Sequence, residues 1–286
     1  MSIPSDKKLV KLSDEESNIL NRKGYTIEKY SLNSGAYADV YKGQHNGQDV
    51  AIKVIDTRKV SEDYRSKFLP RELYIMRKLK HRFIPRMDEI LLIGNRIFVV
   101  MELAEGGDLL DMINANRRPL TEPVAKRYYR QVSEALDYIH NEAIAHRDIK
   151  CENILLNKQK TVAKLTDFGF ARTCFNAQSG YRMLAETQCG TTGYASPELL
   201  SGQPFDAMMN DCWGMGVVLY VMLTTKMPFT VKHLRTKQLT KHYRLQQLPI
   251  SDDSKDLISK LLEPEVSKRL AMPQVLNHRW LKGVKV

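Results

Sequence analysis

His146-Arg147-Asp148-Ile149-Lys150-Cys151-Glu152-Asn153 is the stretch that decides how the rest of the chain reads. It offers a carboxylate (Asp148), an ammonium (Lys150) and an amide oxygen (Asn153). Nineteen residues after Asp148, a second carboxylate heads Asp167-Phe168-Gly169. A lone aspartate in such a run is ordinarily a turn or helix-cap residue. The ordered set is not explained that way. One carboxylate can orient an attacking hydroxyl, and the ammonium can offset charge on a phosphoryl group in transfer. Asn153 and Asp167 supply oxygen ligands for a hard divalent cation such as Mg²⁺.

Upstream, Val50-Ala51-Ile52-Lys53 reads as a strand ending in a lysine, and Glu72 follows nineteen residues later on a predicted helix. A surface ion pair is the bland account. Beside the downstream set, Lys53 paired to Glu72 is the arrangement that holds the α- and β-phosphates of a nucleotide.

The spacing of apolar residues divides the chain into two parts. Residues 1–24 are polar and charged and read as a flexible lead-in. Tyr37 to Tyr41, Val50 to Ile55 and Arg96 to Met101 read as strands, with Asn46-Gly47 as a tight hairpin turn. Leu69, Leu73, Met76 and Leu79 predict a helix over 66–79. Past Glu105-Gly106-Gly107 the pattern is helical, over 123–141, 211–224, 254–262 and 273–277. This predicts an α+β, bilobal chain: a small β-rich N-lobe over about 25–103, a larger α-helical C-lobe over about 104–281, a ligand cleft between them, and a short tail at 282–286.

The 286 residues are 43% hydrophobic and 27% charged, the composition of a globular protein. No apolar run spans a bilayer, and neither a signal peptide nor a lipid-anchor motif is present, so no membrane association is expected. Cys151, Cys174, Cys189 and Cys212 show no metal spacing and read as free thiols of a reducing compartment: the cytoplasm, with nuclear access. The net charge of +11 raises the question of nucleic acid, but the basic residues are dispersed and lack interleaved aromatics, so no nucleic-acid partner is expected. The densest basic stretch, Lys226 to Arg244, reads as a solvated helical face.

From Tyr25 to Leu281 these motifs resemble the eukaryotic protein kinase family. The resemblance implies a protein-kinase-like fold with ATP and Mg²⁺ as cofactors in the cleft. It implies Asp148 as catalytic base, Lys150, Lys53 and Glu72 as catalytic partners, and Asn153 and Asp167 as metal ligands. The loop Leu32-Asn33-Ser34-Gly35-Ala36-Tyr37-Ala38-Asp39-Val40 would cover the phosphates. Val40, Ala51 and Leu155 would sandwich the adenine, Glu102 and Leu103 would meet it through backbone, and Met101 would be the gatekeeper. Glu198, in Ser196-Pro197-Glu198, would pair with Arg269. Asp211 would accept hydrogen bonds from the catalytic-loop backbone. The loop departs from the family pattern: of three glycines only Gly35 remains, with Asn33 and Ala38 at the other two places. Ser196 replaces the usual alanine. The segment from Asp167 to Glu198 is long, with the extra part around Cys174 to Leu184.

Lys150 together with Thr191 resembles the serine/threonine branch. Thr187 reads as an activation-loop phosphorylation site whose phosphate would pair with Arg147, set by an upstream activating kinase. Asp108 and Glu152 fall at acidic positions that read basic residues upstream of the target, and Val221 in place of a further acid makes that preference modest. Substrate contacts are thus expected at Asp108, Glu152 and Thr191, with protein serine or threonine as acceptor. The phrases 146–156, 167–172, 194–198 and 216–222 look like the testis-specific serine/threonine kinases, within the calcium/calmodulin-dependent kinase group. That likeness implies a monomeric catalytic domain with a role in male germ-cell development. The alternative is a pseudokinase scaffold with weakened nucleotide binding, and the thinned glycine loop is its support.

Overall fold

Asn46 and Gly47 both take positive φ, 51° and 81°, and join two antiparallel strands by a two-residue turn with His45 opposite Gln48. The turn is the one that an Asn-Gly step favours. It lies in a computed structural model that describes residues 7–175, 181–230, 234–241, 243 and 245–284. The chain divides into two compact units, Met1–Lys80 with Pro85–Glu105, and His81–Ile84 with Gly106–Val286.

The first unit is built on strands β1 (Tyr25–Ser34), β2 (Asp39–His45), β3 (Gln48–Asp56), β4 (Met87–Ile93) and β5 (Arg96–Glu102), all paired antiparallel in the order β1-β2-β3-β5-β4. Side chains alternate across a strand. Val50, Ile52 and Val54 of β3 therefore join Phe98 and Val100 of β5 in one apolar cluster, and Ala51 and Ile55 join Val99 and Met101 in another. Helix α2 (Leu69–Lys78) packs its Leu69, Leu73 and Met76 into the second cluster. Lys53 shares the Ala51 side of β3 and so faces α2.

The other cluster is covered by helix α1 (Asp14–Arg22), whose Leu20 is buried in it and whose Ile19 packs against it. The described part of the expected flexible lead-in is therefore folded. A capping box closes its start: Glu16 N–H donates to Ser13 Oγ at 3.1 Å, and Ser13 N–H donates to Glu16 Oε2 at 2.7 Å. Ahead of it Leu9 pairs with Tyr30 at the edge of β1, and Lys8 reaches Asp39 at 2.9 Å. Residues 1–6 lie outside the described residues. A second departure concerns the helix predicted over 66–79. It is preceded by a π-helical turn at Tyr64–Phe68, and only Leu69–Lys78 is regular α-helix.

The second unit holds α3 (Leu109–Asn116), α4 (Glu122–Asn141), α5 (Ala207–Thr224), α6 (Leu234–Leu239), α7 (Asp252–Leu261) and α8 (Met272–Leu276). Two small sheets pair β6 (Ile144–Ala145) with β9 (Arg172–Thr173), and β7 (Ile154–Leu156) with β8 (Ala163–Leu165). Helix α5 is buried all round, from Ala207 to Leu223, as its composition dictates: Asp211 is its one charged residue. Residues 81–84, expected within a continuous N-lobe, belong to this unit. Leu165 N–H donates to the Phe83 carbonyl at 2.8 Å, and His81 stacks on Tyr138.

Among the described residues no helix is long and apolar enough to cross a membrane. Of the basic stretch 226–244, Lys232 and Arg244 lie outside the described residues. Lys241 pairs with Glu263 at 2.6 Å, and Lys237 bonds Thr230. The expected insertion around 174–184 is described except at 176–180, and its ends pair, Phe175 with Arg182.

Candidate active site

Asp211, fully buried on α5, organises the loop that carries the decisive stretch. Its Oδ2 accepts the His146 N–H at 2.8 Å and lies 3.0 Å from His140 Nε2, and its Oδ1 accepts the Arg147 N–H at 2.7 Å. These bonds hold Arg147 at φ 70°, a left-handed conformation that is uncommon for a residue with a side chain. The loop comes this close because position 214 is glycine: a Cβ there would lie 2.9 Å from that of Ile149.

Four side chains converge on Asp148, which is buried. Lys150 Nζ stands 2.8 Å from Oδ2, and Asn153 Nδ2 donates to Oδ2 at 3.0 Å and to the Asp148 carbonyl at 2.8 Å. Thr191 donates to Oδ1 from its N–H at 3.0 Å and from its hydroxyl at 2.9 Å, while Lys150 also reaches that hydroxyl at 3.0 Å. His146 completes the set from behind: its Nδ1 accepts the Asp148 N–H at 3.3 Å, and its Nε2 is 2.8 Å from the Thr166 carbonyl. Burial pushes the Asp148 carboxyl up, but the Lys150 ammonium and the Thr191 hydrogen bond outweigh it and hold it below an aspartate's ordinary value. Gly190 lets Thr191 approach: its φ is 96°, and a Cβ there would meet the Arg147 carbonyl at 2.5 Å.

Asp167 is exposed, at φ 62°, and its Oδ1 receives the Gly169 N–H at 3.4 Å. Phe168 between them is buried edge-on against His146, with ring centroids 5.0 Å apart. Among the described residues no group of three or more His, Cys, Asp or Glu could hold a metal by itself. The donor set nevertheless fits Mg²⁺, which usually takes one or two protein ligands and completes its shell with phosphates and water. The amide nitrogen of Asn153 is committed to Asp148, so its oxygen is the end that remains for a cation.

In the first unit Lys53 Nζ lies 2.5 Å from Glu72 Oε1, with Glu72 almost fully buried. The other carboxylate oxygen accepts from Tyr64 Oη at 3.1 Å, a contact the sequence reading missed. Residues 35–38 link β1 to β2, after Asn33 pairs with Val40 and Ser34 with Asp39: Gly35 N–H donates to the Ala38 carbonyl at 2.9 Å, and Ser34 N–H to Asn33 Oδ1 at 2.7 Å. Ala51, Met101, Val40 and Leu103 share one apolar cluster. Leu32 is exposed, and Glu102 accepts the Arg86 N–H at 3.2 Å. Leu155, in the second unit, bridges to Asp108.

The remaining expected residues are placed as follows. Arg147 is buried and donates to the Thr187 carbonyl at 2.7 Å, while its Nε has no protein partner among the described residues. Thr187 itself is exposed. Asp108 caps α3 by accepting the Asp111 N–H at 2.8 Å, and burial pushes its carboxyl up. Glu152 is 3.5 Å from Tyr194 Oη. Glu198 and Arg269 form a forked pair at 2.5 and 2.9 Å, with the guanidinium 5.0 Å from the centre of the Trp213 ring. Ser196 is fully buried, with its N–H on Asn210 Oδ1 at 3.1 Å.

Residues 27–281 match the protein kinase domain family. Testis-specific serine/threonine-protein kinase 2 of Mus musculus is 38% identical over 279 residues, 95% of this chain and 77% of that protein. Testis-specific serine/threonine-protein kinase 3 of Homo sapiens is 43% identical over 265 residues, 90% of this chain and 96% of that protein. CBL-interacting protein kinase 16 of Oryza sativa subsp. japonica is 36% identical over 279 residues, 94% of this chain and 60% of that protein. The chain belongs to the protein kinase domain family: it is a eukaryotic serine/threonine protein kinase domain, a phosphotransferase, closely related to the testis-specific serine/threonine kinases.

Proposed function

We propose that Asp148 is the base of this kinase. The oxygen of a serine or threonine hydroxyl attacks the γ-phosphorus of ATP, the bond to the bridging oxygen breaks and ADP leaves, and the hydroxyl proton passes to Asp148. The observation that carries this reading is the set of donors on one buried carboxylate. Thr191 already places a hydroxyl 2.9 Å from Oδ1, which is the hydrogen bond an acceptor hydroxyl requires. Lys150, 2.8 Å away, keeps the carboxylate ionised and can offset charge on the γ-phosphoryl group.

Lys53, oriented by Glu72, would hold the α- and β-phosphates under the loop 32–40, with adenine against Val40, Ala51 and the backbone of Glu102 and Leu103, beside Met101. Asn153 and Asp167 would hold Mg²⁺, which when bound neutralises phosphate charge. Phosphate on exposed Thr187 would meet buried Arg147, whose Nε faces no protein acceptor among the described residues. Glu152 is assigned most of a modest preference for upstream arginine or lysine, because Asp108 already caps a helix. The names of the mouse and human relatives support a role in male germ cells.

The test is labelled-phosphate transfer to matched peptides that differ in acceptor (Ser, Thr, Tyr) and in one upstream arginine. Serine and threonine peptides should be labelled and tyrosine peptides not. The arginine should raise kcat/KM by about tenfold, the size of one charge-assisted hydrogen bond of about 1.5 kcal/mol to half-buried Glu152. Thr187→Ala should lower transfer at least several-fold without changing that ranking. Equal labelling with and without arginine would remove the role of Glu152, and an unimpaired Thr187→Ala would remove the switch.

A further inference from the structure

The phosphate loop has lost two of three glycines, yet its tip is held from outside the loop. The Tyr37 ring lies parallel to that of Tyr64, with centroids 4.2 Å apart and an interplanar angle of 9°. Tyr37 is 45% exposed and Tyr64 only 7%. The stack therefore anchors an exposed residue on a buried one. The buried partner is also the residue whose hydroxyl donates to Glu72 Oε2 at 3.1 Å, while Lys53 occupies Oε1. A glycine-rich loop meets phosphate with free backbone N–H groups. Here the Gly35 N–H is bonded to the Ala38 carbonyl, so the loop's order comes from its own turn and from Tyr64.

The π-helical turn at Tyr64–Phe68 makes the contact possible. Residues eight apart on an uninterrupted α-helix point about 80° apart. The π turn absorbs one extra residue, so Tyr64 and Glu72 behave as if seven apart, about 20° from alignment. Phe68, also in that turn, lies roughly parallel to the Tyr64 ring at 6.5 Å and backs it.

We propose that Tyr64 is a positioning residue that couples the phosphate loop to the Lys53–Glu72 pair, holding the loop through its ring against Tyr37 and the pair through its hydroxyl. The inference rests on the kinase reading for what the two elements bind, but not for the contact itself. It adds a function to an aromatic pair that the motif pattern leaves without one: loop order depends on the Tyr64 ring and lysine placement on its hydroxyl, two ends of one side chain.

Amide hydrogen exchange over residues 34–40 tests it on the whole chain, beside affinity for Mg·ATP. Tyr37→Ala should speed exchange and weaken nucleotide binding roughly 2- to 12-fold, the range of one aromatic pair. Tyr37→Phe should retain the protection. Tyr64→Phe should keep the loop protected but lower kcat several-fold with KM for ATP little moved, since the ring stays and the hydroxyl goes. Tyr64→Leu combined with Tyr37→Ala should be no worse for exchange than either alone. Wild-type exchange in Tyr37→Ala, or strictly additive effects in the double variant, would overturn the proposal. Altered loop exchange in a protein that transferred no phosphate would uphold the contact and sink the catalytic assignments instead.

Discussion

Asp148→Asn lowers kcat by about 10²–10⁴-fold, the span of a lost general base, with kcat/KM for the peptide falling in parallel. Asparagine has the same shape and can still accept from the Thr191 hydroxyl, but it cannot take a proton. It also turns an amide N–H₂ toward either Thr191 or the Lys150–Asn153 side, where every neighbour is already a donor. Steady-state kinetics with a serine peptide reads the effect, and near-normal turnover would remove Asp148 from the chemistry. The pH profile gives an independent check. The Asp148 carboxyl is held below its ordinary value, so the base is ionised throughout the neutral range and is lost only as pH falls past that lowered value. No acid limb from Asp148 is expected between about pH 5 and 8. Assignment of a limb in that range to this residue would contradict the ion-paired geometry.

Arg269→Ala should be among the most destabilising substitutions in the second unit. Arg269 is buried, and its guanidinium is committed on every side: two bonds to Glu198, Nη1 to the Met209 carbonyl at 2.9 Å, and Nε to the Glu263 carbonyl at 2.9 Å. Removing one partner of a buried pair leaves the other charge uncompensated and costs about 3–5 kcal/mol. The two orphaned carbonyls belong to that same loss and are not added to it. A melting temperature lower by roughly 5–15 °C is expected. Arg269→Lys should recover only part of it, because a single ammonium cannot bridge both carboxylate oxygens and two carbonyls. A melt within about 2 °C of wild type would show that the pair is not a support of the segment ending at Glu198.

Much of the site was legible because its chemistry depends on ordered side-chain types close in sequence. Asp148, Lys150 and Asn153 fall within one loop, and the Lys53–Glu72 pairing follows from a strand and a helix of ordinary period. The Asn46-Gly47 hairpin and the all-round apolar α5 were legible for the same local reasons. What stayed hidden depends on departures from regular geometry or on neighbours distant in sequence. Tyr64 could not be assigned to the Glu72 face, since an undisturbed helix turns it away and only the π turn brings it back. Residues 81–84 join the second unit through β8 and Tyr138, contacts that no local pattern marks. Helix α1 was readable in principle. Ser13-Asp14-Glu15-Glu16 carries the capping-box signature ahead of Ile19 and Leu20, but the high charge of residues 1–24 outweighs it in a composition-based reading. Asp108, which the resemblance singles out as an acidic substrate position, caps α3, the ordinary place of an aspartate before a helix.

The most direct measurement is transfer of labelled γ-phosphate from Mg·ATP to an arginine-containing serine peptide by the wild-type chain and by Asp167→Asn. Transfer by wild type, with at least a hundredfold loss in the variant, is the predicted result. Absence of transfer by wild type even after phosphorylation of Thr187, or equal transfer by both proteins, would contradict it.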